Sequence, residues 1–536
     1  MAKDEIQLGP PSTGKTLSAL PVVAEFCRRL DLAGIIDRAC PIRDVAIATH
    51  GQVIETLVAN RLTSPTPLVH VADWAAQWAV PEIFGVEADA LNDDRIGRAL
   101  DAIAPELDGI VGSVGAAAIA EFGVDVARLH WDMTSISLYG AYDHPEEGFV
   151  EPRYGHPKDR RPDLKQVQTG LAVSGDGGVP IFHRAYDGGA GEVSQVTGAM
   201  QALRELAGPR KFLLVGDSKL VSYPNLAAMI EAGVKFIAPA SKTYVDAATL
   251  AAQDIDAAAE VDYIAERDRA KPAEERGVWR VIEDRMTLAG KRKADPVLEL
   301  RRVFVWSSAR AGAAKAARAK KLDRARDDLA RLEHGLGGRH YPTVKEVTER
   351  LTVIAAKRRV KAYLRYTVGV DEAGKPTLAW HFDDDALAAE AAGDGWYALL
   401  TNLDPAEADA AEVLRRYKGQ EAVERRYSNF KGPLAVAPMF LKSNRRIEAL
   451  ISVICLALLV FCLVERALRL AIAPALVLAG LWAGRPAKPT GRLIFSALSR
   501  LRLIPATAQT APVIPQPPPL QARILELLGV DPTRRR

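Results

Sequence analysis

From Ser18 to about Phe122, apolar residues return at spacings of three and four, the period of a helix buried along one face. "PVVAEFCRRLDLAGIID", "HGQVIETLVANRL" and "LNDDRIGRALDAIAPELDGIVGSVGAAAIAEFG" carry the pattern, with Asn92 or Asp93 placed as an N-cap. No strand-like run breaks it, so residues 18–123 are predicted to form a helical N-terminal domain. At "RLHWDMTSISLYG" the period drops to two, and β-branched and aromatic residues take over. "LKQVQTGLAVSGDGGVPIFHRAYDGG" then reads as two strands around a Gly-Asp-Gly-Gly turn. "EVSQVTGAMQALRELAG" is a helix, "KFLLVGDSK" an apolar strand ending in a polar turn, "NLAAMIEAG" a helix and "VKFIAPA" a strand. Residues 124–246 thus predict an α/β layer whose strand ends carry functional groups.

Over residues 247–402 the pattern loosens. Strand-like pieces such as "LRRVFVWSS", "AYLRYTVGV" and "WYALLTNL" surround the charged helix "ARAGAAKAARAKKLDRARDDLARLEHGLGG". Its basic half, Arg310 to Arg326, reads either as a solvated face or as a surface that follows a phosphate backbone. Residues 403–500 return to helix, through "PAEADAAEVLRRYKGQEAVERRYSNFKG" and an apolar run. Residues 501–536 hold a proline-rich linker, expected to be extended, and a short helix, "LQARILELLG".

Composition narrows the class only slightly. Of 536 residues, 48% are hydrophobic and 26% charged, with a net charge of +3, as in ordinary globular proteins. Four cysteines at this spacing, Cys27, Cys40, Cys455 and Cys462, predict neither a metal knuckle nor a disulfide framework, and a reducing cytoplasm fits. The start of the chain shows no secretory pattern. "ALISVICLALLVFCLV", Ala449 to Val464, imitates a membrane span but falls short of the roughly 20 residues one needs. A helix buried on all sides is the reading taken, and no membrane partner is expected.

Residues 9–16, "GPPSTGKT", fit the phosphate-loop pattern G-x-x-x-x-G-K-[ST]. That site needs a buried strand before the loop and a sound helix after it. Ile6 and Leu8 are the only apolar residues close ahead of Gly9, and Pro21 is expected to end such a helix within about one turn. The match is read as chance within a disordered N-terminus, residues 1–17. A P-loop NTPase built on Lys15 and Asp217 stays as an alternative.

Three acids stand where α/β enzymes place catalysts: Asp132 after "LHW", Asp217 closing "FLLVG", and Glu424 in "YKGQEAVERRYSNFK". For any one of them taken alone, capping a strand or solvating a turn is the favoured reading. The third segment carries more: Tyr417, Gln420, Glu424, Tyr427 and Lys431 are spaced three, four, three and four, which predicts one stripe along a helix. Such a stripe is too polar for a core face, and Arg415, Arg416, Lys418, Arg425 and Arg426 flank it.

This segment resembles the Y-x2-R-x3-E-x6-K signature of insertion-sequence transposases of the DDE class. Tyr417, Glu424 and Lys431 fall on its Tyr, Glu and Lys, while Gln420 stands where the family usually has Arg. "HWDMTSISLYG" resembles the family's first-aspartate strand, "LLVGDSKLVSYPNL" its second, and "YGHPKDRRPDLKQVQTGLAVS" the loop and strand between them. The resemblance implies an α/β fold with a ribonuclease H-like catalytic core, a β-rich insertion and a helical N-terminal domain that recognises transposon ends. It implies that Asp132 and Asp217 lie on adjacent strands and, with Glu424, hold two Mg²⁺ ions, with Mn²⁺ as substitute. Two hard cations suit in-line phosphodiester cleavage, and carboxylates are the ligands they prefer. Lys431 and, by position, Gln420 would contact DNA phosphate, and Tyr417 would orient the strand. Lys158, Arg160, Arg161 and Lys165 would grip the duplex backbone. The expected partner is double-stranded DNA, bound by a homodimer, in the cytoplasm or on the nucleoid. An inactive, transposase-derived DNA-binding protein is the second alternative.

Overall fold

The N-terminal periodicity becomes a stack of helices: Leu20–Arg29, Leu32–Ala39, His50–Thr63, Asp93–Ile103 and Leu107–Phe122. The computed structural model describes residues 14–43, 46–269, 271–434, 439, 441–506 and 510–534. Thr49 and Gln52 close a capping box at one helix start, and Asn92, not Asp93, caps another by accepting the Arg95 N–H. Most of the phosphate-loop match lies outside the described residues. Its end does not behave as a disordered tail: Lys15–Thr16 pairs with Arg502–Leu503, and Leu17 is buried. Pro21 sits in the first turn of the helix Leu20–Arg29 and so starts a helix instead of ending one.

The chain divides into two compact units, residues 1–216 with 419–536, and residues 217–418. In the first, four strands lie in the order Pro180–Tyr186, Lys165–Ser174, Arg128–Leu138, Leu213–Gly216. The first three are antiparallel neighbours. Leu213–Gly216 runs parallel to Arg128–Leu138, with Gly216 opposite Trp131. The unit therefore carries a mixed sheet with helices around it.

Behind this sheet runs the helix Asn444–Ala471, which packs on Pro180–Tyr186, His50–Thr63 and Asp93–Ile103. Every residue from Ala449 to Val464 is buried. Each Leu, Ile or Val side chain buried there contributes about 1.5–3 kcal/mol. The apolar run is thus the spine of this unit. The proline-rich segment leads to the helix Pro519–Leu528, whose Ile524, Leu525 and Leu528 are buried, so the C-terminal end joins this core.

The second unit has antiparallel strands in the order Lys235–Pro239, Trp396–Thr401, Leu298–Ser307, Trp279–Leu288, Ala259–Glu260. The charged helix Ser308–His334 and the helix Val344–Arg358 bury Leu322, Leu329, Val347 and Leu351 in a separate core under the hairpin Leu364–Val370 and Pro376–Phe382. Part of its basic half is answered by protein: Arg318 pairs with Asp394 and Glu390, Lys321 donates to the Tyr363 hydroxyl at 2.5 Å, and Arg326 pairs with Asp323 at 2.7 Å.

Two boundaries differ from the sequence reading. The insertion was expected at 247–402, yet the second unit begins at Asp217 and takes in Lys235–Pro239, which pairs with Trp396–Thr401. The polar stripe also does not run along one helix. Ala410–Lys418 ends before Gly419 and Gln420, which form a turn, and Glu421–Lys431 is a separate helix. A glycine two residues after the first member of the stripe, Gly419, is the local reason, since it weakens a helix by roughly 1 kcal/mol.

Candidate active site

Asp132 lies mid-strand in Arg128–Leu138, its side chain 15% exposed. One carboxylate oxygen, Oδ1, accepts the Met133 N–H at 2.8 Å. His130, two residues earlier, shares its face of the strand. The helix Glu421–Lys431 crosses that strand and is fastened to it by two side chains. Gln420, at its start, is buried; its Nε2 donates to the Trp131 carbonyl at 3.2 Å and its Oε1 stands 3.2 Å from His130 Nδ1. Because the amide oxygen only accepts, His130 Nδ1 is the donor there. Burial drives the His130 pKa down to about 4, so the imidazole is neutral near pH 7. Tyr427, seven residues on, donates its hydroxyl to the Asp132 carbonyl at 2.6 Å and lies 3.0 Å from the Thr169 carbonyl. Burial raises its pKa well above the usual tyrosine value.

Glu424 lies between these anchors, four residues after Gln420 and three before Tyr427, on the same helix face and exposed. Lys431 continues the stripe. Its ammonium pKa is lowered by burial and by Lys158, against the opposing pull of Asp159 and Asp132. The stripe from Gln420 to Lys431 is therefore carried on a helix fastened to the Asp132 strand. The expectation that Gln420 contacts phosphate is corrected: its amide is committed to His130 and Trp131.

The loop ahead of Lys165–Ser174 is pinned to the same strand. Ser135 Oγ accepts the Lys158 N–H at 2.9 Å, and Ser137 Oγ donates to Asp159 at 2.6 Å. The four loop cations do not form one grip. Lys158 turns inward, its ammonium on the Met133 carbonyl and 3.4 Å from Asp132 Oδ1. Arg161 forks onto Asp163 at 2.9 and 2.7 Å. Lys165 is held by the carbonyls of Ala141 and Tyr142. Arg160 is exposed, with a φ of +62°, left-handed backbone that a non-glycine residue rarely adopts. Lys158 and Arg161 are exposed as well, but their charges face the acidic partners just named.

Asp217 and Tyr417 belong to the second unit. Asp217 follows Gly216, the last residue of the strand that pairs with Arg128–Leu138, and caps the turn Ser218–Leu220 by accepting the Lys219 N–H at 2.8 Å. Tyr417 stacks obliquely on Tyr397, with ring centroids 6.4 Å apart. Of the tryptophans in this unit, Trp396 is buried, and Trp279 lies beneath the Lys418 ammonium at 4.0 Å. Trp306 and Trp380 donate to Asp394 and Glu333.

Among the described residues, no three His, Cys, Asp or Glu side chains stand close enough to hold a metal ion. Asp132 and Glu424 have the donor chemistry Mg²⁺ prefers. As arranged, though, Asp132 faces an ammonium, and the described carboxylates do not make a formed ion site. The sequence reading also missed three contributors: Tyr427 as an anchor, His130 beneath Gln420, and Glu192, 3.9 Å from the Lys158 ammonium. Tyr427 was legible from its place in the stripe. Glu192 had no signal, because only folding brings it to Lys158.

Residues 12–107 match a family described as a domain of unknown function (DUF4277), which covers most of the N-terminal helices. A comparison with curated proteins finds no match. Among solved structures, the cryo-EM structure of a piggyBac transposase synaptic complex with hairpin DNA is similar over 89% of this chain and 79% of that one, with a TM-score of 0.38 and 8% identity. A likeness of that degree fixes neither site nor chemistry.

Proposed function

We propose that the protein is a DNA transposase of the DDE class, cutting and joining DNA strands at the ends of an insertion sequence. The observation that carries this reading is the polar stripe of Glu421–Lys431 laid across the Asp132 strand: a carboxylate and an ammonium are presented on a helix face that Gln420 and Tyr427 lock to residues 130–132. A carboxylate and a cation carried on a helix fastened to the strand that bears a second carboxylate suit a phosphodiester substrate, because the backbone positioning is done before substrate arrives. The parallel pairing of Leu213–Gly216 with the Asp132 strand is the arrangement expected of a ribonuclease H-like core, and Asp217 is the residue that follows that strand in the chain. Mg²⁺ is the proposed cofactor on the chemistry of these oxygen donors. In this reading Lys431 and Arg160 meet phosphate, and a homodimer on DNA brings the ends together.

The experiment is a cleavage and strand-transfer assay on linear DNA bearing the element's own ends, with and without Mg²⁺. Specific nicking at the ends that disappears in Asp132→Asn is expected, and end binding with no cutting under any divalent ion overturns the assignment. That second outcome is what an inactive, transposase-derived DNA-binding protein would give, a reading favoured by the lysine that covers Asp132. The P-loop alternative loses support from Lys15, whose ammonium pairs with Glu82 at 2.8 Å.

A further inference from the structure

Between Glu465 and Glu526 the chain holds no acidic residue and eight basic ones, while the rest of it carries more acids than bases. Positive charge is therefore concentrated in one segment of a protein that is only slightly basic as a whole. Part of it is answered within the unit: Arg466 pairs with Asp176, Arg469 with Glu465 and Arg523 with Glu526. Arg485 and Arg492 are exposed. Arg492 lies in the first turn of the helix Gly491–Leu498, where the positive end of the helix dipole disfavours a cation. Its own helix does not account for it.

Arg485 belongs to a hairpin of Leu478–Trp482 with Arg485–Ala487. The two-residue turn, Ala483 and Gly484, has φ of +46° and +80°, as a tight type I′ turn requires. Leu478 and Leu481 are buried, and their strand packs on the helices Gly491–Leu498 and Pro519–Leu528, which anchors the ribbon in the unit. At the tip Trp482 stands directly opposite Arg485, so the two side chains share one face. Trp482 is 61% exposed, whereas the other seven tryptophans of the chain are buried or half-buried.

We propose that this hairpin is a DNA-contacting ribbon, in which Arg485 and the nearby Arg492 meet phosphate and the Trp482 ring packs on sugar and base. The inference rests on DNA as the partner and does not depend on whether the protein cuts it. An acid-free, basic segment complements a polyanion, and a two-stranded ribbon has the width that the major groove admits. Phosphate contacts fix position without reading sequence, so this surface adds grip to whatever the helical region recognises. An anionic membrane carries the same sign of charge, but these cations sit on a hairpin and a helix start. An interfacial anchor instead lines them along one face of a helix.

The test is binding of the full chain to a fluorescently labelled linear duplex of arbitrary sequence, read by anisotropy across a salt series. Arg485→Ala and Arg492→Ala are each expected to flatten the slope of log affinity against log salt by roughly 0.9. Trp482→Ala is expected to weaken binding about fivefold with the slope unchanged, because ring contacts are not screened by salt. Thermal unfolding of each variant checks that the fold is kept, and if Trp482→Ala does not fold, the two arginine slopes decide. Unchanged slopes in both arginine variants, while the wild type binds duplex, overturn the ribbon and leave DNA as the partner. No duplex binding by the wild type at any salt overturns both. Binding to phosphatidylglycerol vesicles that Trp482→Ala abolishes, with duplex binding untouched by all three variants, assigns the hairpin to a membrane surface and also overturns the proposal.

Discussion

In the helix Ala410–Lys418 the polar groups serve their own neighbourhood. Glu412 takes Arg416 at 2.8 Å and Arg415 at 3.3 Å, and Lys418 lies over the Trp279 ring. In the next helix, Glu421–Lys431, equally polar residues reach far along the chain. Tyr427 holds the Asp132 carbonyl, and Arg426 donates to the Gly177 and Gly178 carbonyls and pairs with Glu465 at 3.0 Å. The two helices are separated by two residues and match in charge character, yet Glu412 takes its arginines from within its own helix while the other helix ties down a distant strand. What separates them is desolvation. Arg426 and Glu465 are 8% and 6% exposed, so their charges must be answered at fixed points, whereas Arg416 and Glu412 keep solvent.

The sharpest break of that comparison is catalytic. Asp132→Ala, Asp217→Ala and Glu424→Ala should each lower strand cleavage by at least about 10²–10³-fold while end binding is retained, and double variants should lose little more. A gel assay of end cleavage checks this, and near-normal cutting by any one removes that residue from the site. Next in size is the contrast of buried and exposed pairs. Arg426→Met should cost about 3–5 kcal/mol of stability, because it strands Glu465 without one of its partners. Arg416→Met should cost at most about 1 kcal/mol. Urea unfolding of both proteins measures the gap.

A third test concerns the strand side of the contact. His130 titrates near 6.5 when unfolded and at about 4 when folded, chiefly through burial. Between those values the unfolded chain binds the extra proton, so stability is full above about pH 6.5 and is lost as pH falls toward 4, by up to about 3 kcal/mol. His183, driven down to about 3 by burial, adds in the same direction. Comparing unfolding at pH 7 and pH 4.5 for wild type and His130→Asn isolates the His130 share. An identical pH dependence in the two proteins would contradict a buried neutral imidazole.

The same contrast explains what could be read from the sequence. Period and composition carried the helical region, the hairpin around Gly177 and Gly178, and the buried helix Asn444–Ala471, because each is decided within a short window. The stripe from Gln420 to Lys431 was legible for the same reason. Its extension back to Tyr417 failed, because Gly419 lets the chain turn where spacing alone continues. The loop cations were legible as charges but not as contacts. Whether Lys165 meets phosphate or the Ala141 and Tyr142 carbonyls depends on how a loop folds back, and no periodicity encodes that. The Glu192–Lys158 approach belongs to the same class.

The smallest expected effect falls on Gln420, and its value lies in being near zero. If this position faced DNA, Gln420→Arg would add a phosphate contact, and the slope of log affinity against log salt would steepen by roughly 0.9. The amide is instead buried between His130 and the Trp131 carbonyl, where an arginine would bring an unanswered charge against a neutral imidazole. The expected outcome is an unchanged salt slope with a loss of stability. Lys431→Ala, on the same stripe, should flatten the slope by about that one contact. Gln420→Ala sharpens the distinction further: it leaves His130 Nδ1 and the Trp131 carbonyl unpaired, a cost of about 1–3 kcal/mol with the slope again unmoved. End binding across a salt series, run beside urea unfolding for the three variants, separates a residue that holds the strand from one that holds DNA. A steeper slope in Gln420→Arg would return position 420 to the DNA face and undo the division between the anchoring and the exposed residues of this helix.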